Sequence, residues 1–206
     1  LKWTAVTDAS EYQVYRKLAN QSNWVLITTT SELAYQDTDV VGNTIYQYKV
    51  KAVDQYGNES EFSAQKECRF IETPTLLTRE NAVGGVKITW EKVAGATSYR
   101  IYRRGAGTDY WFYLGDFPAT LDTFTDLETA NYFPNDAKKN KEAKPKSGNY
   151  YRYTVRASYE GQDSTGKPYT IYSGFDTEGL YLKYVATPKL KAVSNAGNGI
   201  TVTWNA

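Results

Sequence analysis

The chain has 206 residues, enough for two domains with cores of their own, and its 24 basic and 23 acidic residues leave a net charge of +1. That balance gives no reason to expect nucleic acid or an anionic membrane as partner, and no run approaches the roughly 20 apolar residues of a membrane helix. Histidine is absent and cysteine occurs once, which excludes a Ser-His-Asp or Cys-His catalytic pair, an imidazole metal site and an internal disulfide. The 19 tyrosines and 5 tryptophans, with many Val, Ile and Thr, suit pleated, half-buried surfaces and predict an all-β chain.

In chain order, Leu1–Val6 carries Trp3, and Tyr12-Gln13-Val14-Tyr15 reads as a strand. A polar turn leads to Trp24-Val25-Leu26-Ile27, then to Leu33–Asp37, then to a turn at Val40–Asn43. Tyr46–Ala52 alternates apolar and polar residues over seven positions and is the clearest strand. Asp54–Ser60, with Gly57-Asn58, reads as a hairpin turn. Phe62–Ile71 returns as the last strand, and Thr73-Pro74 stops it, because proline cannot donate to a ladder. Strands at this spacing with no helical segment predict antiparallel β-sandwiches.

The chain then repeats itself. Trp3, Tyr12 and Tyr15 recur as Trp90, Tyr99 and Tyr102, an offset of 87 at each position (90 − 3, 99 − 12, 102 − 15). Thr187–Trp204 copies Thr73–Trp90 at an offset of 114 (204 − 90). Repeats of this size predict an array of small domains. Residues 1–72 form a repeat without its first strand and half of its second, the counterpart of residues 74–87. Residues 73–186 form an enlarged repeat, and 187–206 are the first two strands of a third. A chain opening inside a repeat reads as a fragment, so a missing signal peptide carries no information. Cys68 stands where the second repeat has Leu182 (182 − 114), which implies a small buried hydrophobe.

These residues resemble the fibronectin type III repeats of secreted and surface proteins of Gram-positive bacteria. The carriers are Trp3, Trp90 and Trp204 on the second strand and Tyr-x-Val/Ile-Tyr at Tyr12 and Tyr99 on the third. On the sixth, Tyr-x-Tyr-x-Val-x-Ala stands at Tyr46 and Tyr151. The resemblance implies an immunoglobulin-like sandwich in which Tyr46 and Tyr151 are corner tyrosines, their hydroxyls bonded to nearby backbone. The family's Arg-Gly-Asp loop motif is absent. The sixth-strand motif lies at an offset of 105 (151 − 46), so the second repeat gains 18 residues before it (105 − 87) and 9 after it (114 − 105). The insertions fall at Glu128–Ser147 and Tyr159–Tyr172, and long loops on a rigid scaffold are where binding residues sit.

Candidate chemistry is sparse. Asp116 with Asp122, or Asp126 with Glu128, has the residue types of a glycosidase pair, but scattered acids on β-sandwich turns are ordinarily solvated. Asp54, Asn58 and Glu59, or Asp122 and Asp126, offer calcium-type oxygens without a spacing signature. The run Asp136–Lys146 carries five lysines against two acids and reads as a solvated loop, with an anionic polymer or acidic protein as its functional rival. Trp111 matches Trp24 and is therefore structural. Tyr110, Tyr132, Phe133, Tyr169 and Tyr172 have no such match and form the candidate ligand surface, or else staple the long loops to the sandwich.

The expected function is a non-catalytic spacer or scaffold of a larger extracellular or wall-attached bacterial protein, without cofactor or metal. Its rival is an adhesin-like recognition module, binding a glycan or a host protein through the enlarged repeat. The unpartnered strands of 188–206 are also expected to complete the first repeat of another molecule, head to tail, in competition with Leu1–Trp3.

Overall fold

The computed structural model describes residues 1–105, 107–138, 140, 144–162 and 166–205. Among them are fourteen strands, all in antiparallel sheets, so the chain is all-β. One helical turn at Ala137, Lys138 and Asn140 lies in the first insertion. No helix of the described residues is long and apolar enough to cross a membrane. The chain packs as two compact units: Leu1–Glu72 with Val93–Ala96 and Tyr159–Ser173, and Thr73–Lys92 with Thr97–Ser158 and Gly174–Ala206. These units follow packing, and their limits do not coincide with the repeat boundaries read from the sequence.

The second unit has two facing sheets. One holds β5 (Leu76–Ala82), β6 (Gly85–Trp90) and β9 (Thr123–Leu127) in that order. The other runs β8 (Phe112–Pro118), β7 (Ser98–Gly105), β10 (Tyr150–Gln162), with β12 (Leu180–Lys183) beyond β10. Strand alternation sends Val86, Ile88 and Trp90 from one sheet, and Tyr99, Ile101, Tyr153 and Val155 from the other, into a common core. Trp90 meets Tyr99 edge-on at 5.3 Å between ring centres, and Phe117 meets Phe124 at 4.8 Å. At Gly85 the β6 and β9 backbones run so close that a Cβ would stand 2.2 Å from the Asp126 carbonyl oxygen, hence the glycine.

The first unit repeats the second of these sheets. β2 (Val25–Thr30), β1 (Ala9–Leu18), β3 (Thr44–Asp54) and β4 (Lys66–Phe70) lie in that order. The registers match: Tyr12, Val14 and Arg16 face Ala52, Val50 and Tyr48, as Tyr99, Ile101 and Arg103 face Ala157, Val155 and Tyr153. Both corner tyrosines are in place. The Val41 amide donates to the Tyr46 hydroxyl and the Lys146 amide to that of Tyr151, each at 2.9 Å. At the β3–β4 turn, the Asp54 carboxylate accepts the amides of Tyr56 and Asn58, while Gly57 takes a φ of 86°.

The opposite sheet of the first unit is reduced to one bridge, Lys2 to Ala34, flanked by backbone bonds between Leu1 and Tyr35 and between Trp3 and Leu33. The strand expected over Leu33–Asp37 is therefore not a full strand, because only three residues lie opposite it. The last strand is shorter than Phe62–Ile71. Before Lys66 the Ser60 and Ser63 hydroxyls accept the Ala52 and Val50 amides in place of a regular ladder. Cys68 is exposed, against the expected burial. Its counterpart Leu182 is half-buried on β12, where β5 runs alongside: Arg79 and Asn81 donate to the Tyr181 and Lys183 carbonyls. Among the described residues of the first unit, no strand takes the place of β5 over Cys68.

β13 (Leu190–Ala196) and β14 (Gly199–Trp204) pair only with each other, and every residue of both is exposed.

Candidate functional site

The most concentrated polar chemistry lies in the core of the second unit. Asp126, on β9, is fully buried and accepts a hydrogen bond from the Arg103 guanidinium on β7. It also accepts the Tyr153 hydroxyl at 2.7 Å and the Tyr132 hydroxyl at 2.6 Å. Three donors on one carboxylate satisfy an ion pair that burial would otherwise penalise. Burial alone lowers the Arg103 pKa, but the Asp126 charge and hydrogen bond outweigh it and hold the guanidinium above its ordinary value. Burial and the same carboxylate push the Tyr132 and Tyr153 hydroxyls well above the ordinary 10.0.

The first unit has the same cluster. Arg16 donates to Asp37 at 2.9 and 3.0 Å, and the Tyr48 hydroxyl donates to Asp37 at 2.9 Å. Here Asp39 gives Arg16 a second carboxylate at 3.2 Å, and the arginine is more open to solvent. Arg16 and Tyr48 are the repeat counterparts of Arg103 and Tyr153 (103 − 16 = 87, 153 − 48 = 105), and Asp37 takes the place of Asp126 two positions further along (126 − 37 = 89), so the cluster belongs to the scaffold. It was missed in the sequence because arginine, acid and tyrosine stand on three separate segments and no local pattern joins them. The signal was present: Arg16 and Arg103 fall on the inward phase of the alternation, and each repeat holds one matching acid.

The candidate ligand residues are divided between the two units: Tyr110, Tyr132 and Phe133 belong to the second, Tyr169 and Tyr172 to the first. Tyr132 is half-buried on Asp126, and Phe133 meets Phe112 edge-on at 5.2 Å, so both staple the first insertion to the sandwich. Tyr110, in the turn after β7, is 66% exposed and lines a cavity of about 140 Å³ with Arg103, Phe112 and Tyr151. Tyr169 and Tyr172 lie on β11 (Pro168–Tyr172), the return strand of β10, which packs as part of the first unit. Tyr169 rests against Tyr159 at 6.0 Å, and the Arg69 guanidinium covers the Tyr159 ring. The second insertion is therefore largely a β-hairpin. Asp163, Ser164 and Thr165 in it lie outside the described residues, as do Lys139, Lys141, Glu142 and Ala143 of the lysine-rich run.

The remaining acids are also engaged. Asp116 pairs with Arg100 at 2.8 Å, Asp122 lies 3.7 Å from Lys92, and Glu59 pairs with Lys51 at 2.8 Å. Asp54 holds its turn, and the Asn58 side chain and amide keep its carboxyl below the usual range. Among the described residues, no group of three or more acidic or cysteine side chains is placed to hold a metal ion.

A surface not anticipated from the sequence lies along β10 and β12. Tyr150 and Tyr181 stack in parallel at 5.4 Å, with Lys183 over the first ring and Arg152 over the second. Both tyrosines are 42% exposed. Alternation places them outward, opposite the buried Tyr151 and Tyr153.

Comparison with known proteins gives partial relatives. No protein-family model matches the chain. It is 33% identical over 111 residues to an alpha-amylase of Niallia circulans, a match covering 52% of this chain and 7% of that protein. A poly(3-hydroxybutyrate) depolymerase of Ralstonia pickettii is 39% identical over 64 residues, 31% of this chain and 12% of the enzyme. An amylopullulanase of Thermoanaerobacter thermohydrosulfuricus is 35% identical over 68 residues, 32% of this chain and 5% of the enzyme. This chain thus corresponds to a small part of each. The crystal structure of chicken CNTN1 FN1-FN3 domains aligns with 86% of this chain and 56% of that one, at 18% identity and a TM-score of 0.37, too loose to carry an assignment.

Proposed function

We propose that the chain is a non-catalytic spacer or scaffold of tandem fibronectin type III repeats within a larger secreted or wall-attached bacterial protein. The observation that carries this reading is the repeated Arg–Asp–Tyr core with its corner tyrosine. The most perturbed polar groups are spent, twice over, on holding a sandwich together. The relatives add support. Stretches of this chain resemble small parts of an alpha-amylase and of a poly(3-hydroxybutyrate) depolymerase, whose names denote different reactions. A chain that resembles only small parts of enzymes with different reactions is poorly suited to be what performs either of them. Physically, such a module supplies extension and separation, which need stability rather than chemistry.

A second reading, recognition of a glycan or a host protein, draws on the exposed Tyr110 and the stacked Tyr150–Tyr181 pair with its two cations. Co-sedimentation of the purified chain with insoluble amylose and with poly(3-hydroxybutyrate) granules, and a glycan array, separate the two. The spacer reading expects the chain in the supernatant and a blank array. Retention that disappears in Tyr110→Ala, or in Tyr150→Ala with Tyr181→Ala, would replace it by recognition.

A further inference from the structure

In the second unit, β7 and β10 place like charges directly opposite each other: Arg104 faces Arg152, and Arg100 faces Arg156. All four stand outward, because Tyr99, Ile101 and Arg103 on β7 and Tyr151, Tyr153 and Val155 on β10 take the inward phase. Neighbouring strands lie about 4.8 Å apart, and like charges opposed across them destabilise a sheet. The fold does not demand them. In the first unit the same register sets Lys17 against Gln47 and Gln13 against Lys51, so each pair carries one charge. Tyr150 and Tyr181 are equally particular to the second repeat, their counterparts being Ile45 and Glu67 (150 − 105, 181 − 114).

The rings of this face serve its cations. Arg104 lies over Trp111 at 4.8 Å from the ring centre, Arg152 over Tyr181 at 4.9 Å, Arg100 over Tyr113 at 5.2 Å and Lys183 over Tyr150 at 5.5 Å. A ring steadies a cation without using up its N–H donors. Asp116 pairs with Arg100 and the largely exposed Glu178 with Arg152. Among the described residues, no acid lies within ion-pair distance of Arg104 or Lys183. Lys183 stands opposite Tyr150, two residues along β10 from Arg152, and Arg156 lies four residues beyond. Cations therefore recur at steps of about 7 and 14 Å, in a line about 20 Å long that follows the strands.

We propose, resting on the recognition reading above, that this face binds an anionic polysaccharide. Arg104, Arg152 and Lys183 take its sulfate or carboxylate groups, and its chain runs along the strands toward Arg156. A guanidinium fork fits two oxygens of such a group, and an oxyanion between Arg104 and Arg152 offsets the repulsion between them. Single-stranded nucleic acid fits worse, because the rings its bases would stack on lie under cations. A protein partner fits worse too, since the same cations cover the aromatics that would anchor it.

Titration calorimetry of the full chain with dextran sulfate, carboxymethyl dextran and neutral dextran of one chain length tests this. Expected is binding of the charged dextrans, weakened steeply by salt, and none of the neutral one. Arg104→Gln with Arg152→Gln should weaken it at least about tenfold, while the urea midpoint holds or rises because a repulsive pair is gone. Lys183→Gln, at an exposed position, should weaken it about twofold to fivefold with the fold unchanged. Lys138→Gln with Lys144→Gln, which removes the same charge from the lysine-rich run, should leave it unchanged. Equal loss in that lysine pair would mean attraction to overall charge and overturns the proposal. So does binding that survives Arg104→Gln with Arg152→Gln, and so does tighter binding of polyglutamate or oligothymidylate. No binding of the charged dextrans also overturns it; the recognition reading falls with it only if neutral dextran and the glycan array are blank as well.

Discussion

Removing the Asp126 carboxylate is the sharpest perturbation of this fold. In Asp126→Ala, Arg103, 4% exposed, keeps its charge and loses its buried counter-ion, while the Tyr132 and Tyr153 hydroxyls lose their acceptor. Breaking a buried pair from one side costs about 3–5 kcal/mol, because the remaining charge has no solvent to turn to. The matching change Asp37→Ala is milder. Arg16 is partly solvated and retains Asp39, so the expected loss is about 1–3 kcal/mol. Urea unfolding followed by tryptophan fluorescence resolves the two. At slopes of about 1–3 kcal/mol/M, Asp126→Ala should lower the midpoint of its transition by at least about 1 M, and Asp37→Ala by less. Replacing both members, Arg103→Met with Asp126→Leu, should cost less than Asp126→Ala alone, since no charge is then stranded. A loss below about 1 kcal/mol for Asp126→Ala, or one equal to that of Asp37→Ala, would refute the reasoning.

Three further outcomes follow from the same geometry. Tyrosine hydroxyls raised in the fold contribute stability that is complete below the unfolded value of 10.0 and is lost as pH rises toward the folded values. With no histidine, thermal stability should therefore be level from about pH 6 to 9 and fall above pH 10, least in Tyr132→Phe and Tyr153→Phe; an alkaline scan by circular dichroism checks this. Trp90→Ala should cost about 3–5 kcal/mol in urea unfolding and Trp3→Ala less, because Trp90 is 1% exposed and Trp3 only half-buried. Replacing residues 134–144 with a short Gly-Asn turn should leave the sandwich folded, whereas extending the cut to remove Tyr132 and Lys146 should destabilise it measurably, by deleting the Asp126 and Tyr151 hydrogen bonds.

Much of the fold was legible because its signals are local. The alternation of Tyr46–Ala52 and the turn at Asp54–Ser60 specify strand and hairpin without reference to distant residues. The Arg–Asp–Tyr core was not legible from any one strand, since Arg103, Asp126 and Tyr153 come together only when two sheets face each other. Cys68 was misread for a related reason: matching Leu182 predicts its position, but burial depends on β5, which has no counterpart among the described residues of the first unit. Tyr132 shows the limit for the candidate site. As an aromatic on a long insertion it reads equally as ligand contact or staple, and its hydroxyl bond to the buried Asp126 depends on packing that no local signal reports.

The account as a whole rests on this chain being scaffold rather than catalyst. Product release measures that most directly: the purified chain is incubated with soluble starch and with poly(3-hydroxybutyrate), and reducing ends and free 3-hydroxybutyrate are followed over time. The account predicts no release above the protein-free control. Release that scales with chain concentration and is abolished by Asp116→Asn with Asp122→Asn would contradict it.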